Sequence, residues 1–214
     1  MRIILFFTLL LSFSTSFAAD EDYTLFSELR RFGRDMGEQF PHMYMITRLP
    51  PCSGIADAAL KTSCNSCVSR VHAASGSNSI GTHLNEIKSL AEEVVQMMDE
   101  GSIPASKWSE AEAKLDEIKG HLESCSQAGN SVKSACSRLN GIGISDQYRD
   151  GEYYHHGCGT KLAEIARYKT ARNARTSAAS ASTGSSGSTP GAPETGSQNN
   201  SNEGGTNTSE PDGT

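Results

Sequence analysis

Beyond Arg175 the chain carries nothing that could build a core. From Thr176 to Thr214 there is no Val, Leu, Ile, Met, Phe, Tyr or Trp, and no Lys or Arg. Such a segment has no apolar surface to offset the entropy of ordering, so residues 176–214 are expected to form a disordered Ser/Thr/Gly/Asn-rich tail. Two glycosylation sequons, Asn199-Asn200-Ser201 and Asn207-Thr208-Ser209, lie in it. They allow a glycosylated stalk, while a plain flexible spacer needs no further assumption.

Positive charge is also in short supply. Lys and Arg number 19 against 25 Asp and Glu, for a formal charge of −6. Nucleic acid, which demands a basic patch or stripe, is therefore not an expected partner. Strand signals are missing too, because β-branched residues nowhere alternate over a useful length. Catalytic frames are equally thin. Gly143-Ile144-Ser145-Asp146 lacks the Gly-x-Ser-x-Gly of a nucleophile elbow, Gly141-Ile142-Gly143 follows no strand, and no phosphate loop occurs. The sequence thus points to no enzyme activity and to no cofactor.

Long hydrophobic runs are limited to the N-terminus. Met1-Arg2 is followed by an uncharged stretch from Ile3 to Leu11, then by small and hydroxyl residues ending in Ser16-Phe17-Ala18-Ala19. One cation, a short apolar segment and a small-x-small site make residues 1–18 read as a secretory signal peptide, cleaved after Ala18. The run is too short to cross a bilayer, which takes about 20 residues. No membrane span is expected after cleavage, and the protein is placed outside the cytosol, secreted or periplasmic.

Export gives the six cysteines their meaning. Cys52, Cys64, Cys67, Cys125, Cys136 and Cys158 all follow the leader. An even set of thiols in an oxidising compartment is expected to pair. Six cysteines allow fifteen connectivities, and spacing does not choose among them.

Residues 20–175 are left for one helical domain. From Thr82 to Glu100, Leu84, Ile87, Leu90, Ala91, Val94, Val95 and Met98 recur at steps of three and four, one stripe of a helix. A second stripe, Trp108, Ala111, Leu115, Ile118, Leu122 and Cys125, predicts a helix from Ser102 or Ser106 to about Ser126, with Gly129 as its stop. The short link around Gly101 to Pro104 makes the two an antiparallel hairpin. Weaker patterns predict helices over Glu21 to Gly37, from the Pro50-Pro51 break to Gly76, over Ser131 to Leu139, and over Thr160 to Arg172. The sum is an all-α, disulfide-stapled helical bundle around a central antiparallel hairpin, with a disordered C-terminal tail.

Two motifs could carry chemistry. Cys64-Asn65-Ser66-Cys67, with Ser63 as a possible cap, has the spacing of a thiol–disulfide couple, but no strand precedes it as redox folds require, so two structural half-cystines are expected. Tyr153-Tyr154-His155-His156-Gly157-Cys158-Gly159 puts two imidazoles beside a thiol. His155 and His156 could ligate zinc or copper, with Cys64 and Cys67 completing a set, although neighbouring residues point to different sides of most backbones. A loop with exposed rings is the plainer reading, and no metal is assigned. His72, His83 and His121 read as ordinary helix histidines. Trp108, Met43, Met45, Met97 and Met98 read as core fillers.

The leading expectation is therefore an exported, non-enzymatic helical module that binds an unidentified protein or small ligand, or serves structurally. A thiol–disulfide or metal-handling protein using Cys64, Cys67 and the His155–Cys158 segment is the alternative. A small-molecule carrier would need an interior cavity.

Overall fold

The computed structural model describes the backbone of residues 2–77, 79–142 and 146–183, with side chains from Glu21 onward except at 44, 179 and 181–183. These residues form α1 (Arg2–Gln39), α2 (Tyr44–Thr47), α3 (Ala58–Ser75), α4 (Ile80–Met97), α5 (Trp108–Asn140) and α6 (Asp146–Thr183). Single 3-10 turns stand at Phe40–His42, Cys52–Gly54 and Ala105–Lys107. Among the described residues extended pairing is limited to one bridge, Asp99 with Ser102. No described helix is long and apolar enough to cross a membrane. The chain divides after Ala174 into two compact units, and the hydrophobic core belongs to the first.

The apolar stripes are buried as their period dictates. Leu84, Ile87, Ala91 and Val94 of α4 are fully enclosed, as are Ala111, Leu115, Ile118 and Leu122 of α5. Phe26 and Leu29 of α1 and Ile165 of α6 join the same core. Each such large side chain contributes about 1.5–3 kcal/mol by leaving water. α4 packs between α1 and α5, and α3 packs on α5.

Capping starts the middle helices. The Asp57 carboxylate accepts from the Leu60 N–H at 2.7 Å, and the Ser79 hydroxyl accepts from the Thr82 N–H at 3.2 Å. Ser63, a possible cap from sequence, lies inside α3 and donates back to the Ala59 carbonyl. The α4–α5 hairpin turns tightly at Glu100 and Gly101, with φ of 47° and 82°. Reciprocal hydrogen bonds join Asp99 and Ser102 across the turn, at 2.8 and 3.0 Å. Two successive residues in left-handed backbone match a primed turn, which explains the glycine.

Three elements differ from expectation. Gly129 is no stop: α5 runs on to Asn140 and absorbs the separate helix expected over Ser131 to Leu139. Its glycine is buried at a crossing with α6, where an added Cβ would lie 2.6 Å from the His155 nitrogen and 2.7 Å from the Gly151 carbonyl oxygen. Gly151 is reciprocal, 2.7 Å from the Lys133 nitrogen and 2.8 Å from the Gly129 carbonyl oxygen. The missing side chains let two helix backbones touch, and the tertiary contact outweighs the local cost of glycine in a helix, about 1 kcal/mol. Second, the last helix begins at Asp146 rather than Thr160, so the Tyr153–Gly159 motif is helix and not loop. Third, helix continues to Thr183, into the segment assigned to the tail by composition. Alanines 178, 179 and 181 there are the best helix formers and extend a helix already nucleated. The remainder of the tail, residues 184–214 with both sequons, lies outside the described residues, as do the side chains of residues 1–20.

Candidate functional site

The cysteines resolve into three bridges, Cys52–Cys64, Cys67–Cys136 and Cys125–Cys158. One turn of α3 separates Cys64 from Cys67 and turns both inward, where each is wholly buried. Cys64 reaches the 3-10 turn ahead of its own helix, Cys67 ties α3 to α5, and Cys125 ties α5 to α6. Cys64 and Cys67 are thus not partners of each other, and the Cys-x-x-Cys spacing makes no vicinal couple. Cys158, expected ahead of the last helix, lies within it.

The helical setting of Tyr153–Gly159 decides where its groups go. His155 is half-buried against α5, with its Nδ1 2.9 Å from the Ser126 hydroxyl oxygen and 3.1 Å from the Ser126 carbonyl oxygen. The next residue is rotated about 100° around a helix, and His156 is exposed. The two imidazoles do not converge. They share an open groove of about 580 Å³ with Lys133, Arg149, Glu152 and Tyr153. Its cations are engaged: Lys133 pairs with Glu152 at 2.9 Å, and Arg149 pairs with Asp146. The Lys133 ammonium is raised above the ordinary lysine range, chiefly by that hydrogen bond. Among the described residues no three His, Cys, Asp or Glu side chains gather where they could hold a metal.

Tyr154, between these surface residues, is wholly buried and packs edge-on against Phe40 at 5.5 Å. Burial pushes its phenol well above the usual range. One turn earlier, Asp150 accepts from the Met45 N–H at 2.5 Å, and a further turn back Gln147 donates to the Arg48 carbonyl. Asp150 is raised from the ordinary carboxylate value, mainly by desolvation and against the pull of that N–H. The first turns of α6 therefore clamp the irregular 40–51 segment, which has no long helix of its own.

A polar cluster that the sequence did not disclose lies at the other end of α6. Asp22 of α1 is buried, and its carboxylate accepts from the Tyr168 hydroxyl at 2.6 Å and from Arg172 at 2.7 and 2.9 Å. The Ile103 N–H of the α4–α5 link points at the same group, at 3.3 Å. The Arg172 guanidinium stacks over Trp108, 3.3 Å from the ring centre. Tyr168 is raised well above the usual phenol range by burial and by the adjacent carboxylate. The sequence pattern makes Asp22 look like part of the acidic leader boundary and Arg172 like a helix-end cation. A Tyr and Arg at i and i+4 on the last helix were the available signal.

Beside this cluster, α1 and α6 bound an open groove of about 590 Å³. Leu25, Tyr168 and Ala171 give it apolar walls, and Glu21, Glu28, Glu164 and Arg167 are its charged groups. Lys161 bridges Glu28 and Glu164 at 3.2 and 2.6 Å. Comparison with protein-family models, curated proteins and solved structures finds no match to this chain.

Proposed function

We propose that the protein is an exported, non-enzymatic helical module, secreted or periplasmic, that works by binding a partner or ligand or by a structural role outside the cytosol. The observation that carries this reading is the fate of the cysteines: all six sulfurs are paired, and two of the three bridges tie separate long helices together. A frame of this kind favours an oxidising compartment and a rigid presenting surface. The reading is also supported by the engagement of the chemistry-bearing candidates in structural bonds, Cys64 and Cys67 in different bridges and His155 against Ser126. The alternative thiol–disulfide reading has less support, because Cys64 and Cys67 sit in different bridges.

The test is intact-mass analysis of the exported protein, with and without reduction, joined to an insulin-reduction assay. Expected are an N-terminus at Ala19, no free thiol, and no thiol–disulfide exchange above background. A retained leader would contradict export with cleavage, and turnover dependent on Cys64 or Cys67 would contradict the non-enzymatic assignment.

A further inference from the structure

The α4–α5 hairpin brings two histidines together from positions 38 residues apart in sequence. His83 stands in the first turn of α4, and His121 is in the middle of α5. Both are half-buried, and their Nδ1 atoms are 3.0 Å apart. The ring centres are 5.2 Å apart with an interplanar angle of 46°. At this separation one nitrogen donates and the other accepts, so at least one ring is neutral and presents a lone pair to its neighbour. Burial, and next the facing His121, hold His83 below the ordinary histidine range, opposed by Glu86 one turn along α4.

Two imidazole nitrogens bound to one zinc ion at 2.0–2.1 Å stand about 2.9–3.4 Å apart for bond angles between a right angle and tetrahedral. The observed pair already has that spacing. Shared coordination would require the hydrogen between them to move to Nε2 and both rings to turn about χ2 so that their Nδ1 lone pairs face one ion; the two residues sit on helices joined in one hairpin, which keeps them as neighbours. Imidazole is a good ligand for late first-row divalent ions. We propose that His83 and His121 form an open two-histidine clasp for such an ion, Zn²⁺ or Cu²⁺, binding across the α4–α5 hairpin with water in the remaining positions. This site is separate from the His155–His156 motif and does not depend on the binding-module reading.

The test is titration of the purified, disulfide-intact full chain with Zn²⁺ alone, followed by calorimetry, and with substoichiometric Cu²⁺, followed by broadening of histidine ring resonances in NMR. The expected result is saturable uptake of one Zn²⁺ per chain and first broadening at His83 and His121. His83→Gln and His121→Gln should each weaken uptake about tenfold or more, whereas His72→Gln and His156→Gln leave it unchanged. The broadening experiment uses the unaltered protein and stands even if a variant folds poorly. The proposal is overturned by absence of saturable binding up to millimolar Zn²⁺, by binding that survives both substitutions, or by broadening that begins at His155 or His156.

Discussion

Asp22 shows how one buried charge organises distant parts of the chain. Its side chain is 3% exposed against 19% for Arg172, so the two partners differ in what happens when the other is removed. Arg172→Met leaves a carboxylate buried with only the Tyr168 hydroxyl and the Ile103 N–H to hold it, and should cost about 3 kcal/mol in urea unfolding. Asp22→Asn keeps an acceptor for Tyr168 and leaves an arginine that can turn to solvent, so its cost should be smaller. Equal losses would show that the ion pair is not desolvated in the way described. His83 supplies a prediction with pH. Its pKa in the folded chain lies below the unfolded value near 6.5, so protons bind the unfolded chain preferentially. This residue's contribution to stability is intact above about pH 6.5 and is lost as pH falls towards its folded value. The drop in melting temperature between pH 7 and pH 5 should therefore shrink in His83→Gln. An unchanged drop would remove His83 as its cause.

At the scale of elements, the glycines separate two kinds of position that sequence alone treats alike. Gly129 and Gly151 mark the contact of α5 with α6, where any Cβ meets backbone at 2.6–2.8 Å. Gly129→Ala must push the helices apart and should destabilise by about 1–3 kcal/mol, the usual cost of overpacking. Gly120, also inside α5, has nothing within 4 Å of its would-be Cβ. Gly120→Ala should raise stability by about 0.5–1 kcal/mol through helix propensity. Thermal unfolding of the two variants checks both signs, and a destabilising Gly120→Ala would refute this distinction. The same contrast explains what is legible in the sequence. The stripes of α4 and α5 are legible because burial repeats every turn, and most residues placed on them are enclosed, with Val95, Met98 and Trp108 half-buried at the core's edge. Gly129 reads as a stop because a close crossing is a property of two helices and leaves no period in either. Tyr153–Gly159 reads as a loop because its glycines and paired rings look irregular, whereas Tyr154 and Cys158 share an inward face at a spacing of four. The groove between α1 and α6, the Asp22 cluster and the His83–His121 pair all join residues far apart in sequence, and no local pattern announces them.

For the whole molecule, the bridges rank by the chain they enclose. Cys52–Cys64 spans 12 residues, Cys125–Cys158 spans 33 and Cys67–Cys136 spans 69. Loop-closure entropy gives about 3, 4 and 4–5 kcal/mol for the three in that order. Paired Cys→Ala variants should lose stability in the same sequence, with Cys67 and Cys136 costing most in a denaturant titration. The pairing itself is beyond reach of the sequence, since it depends on which helix faces meet; the leader pattern and the even cysteine count imply only that pairing occurs. These cysteines are structural staples of the helical frame. Disulfide mapping by mass spectrometry of non-reduced peptides from the exported protein tests this role most directly. The expected map is Cys52–Cys64, Cys67–Cys136 and Cys125–Cys158 with no free thiol. A Cys64–Cys67 bridge, or either of those residues found reduced, would contradict it and return the Cys-x-x-Cys motif to redox chemistry.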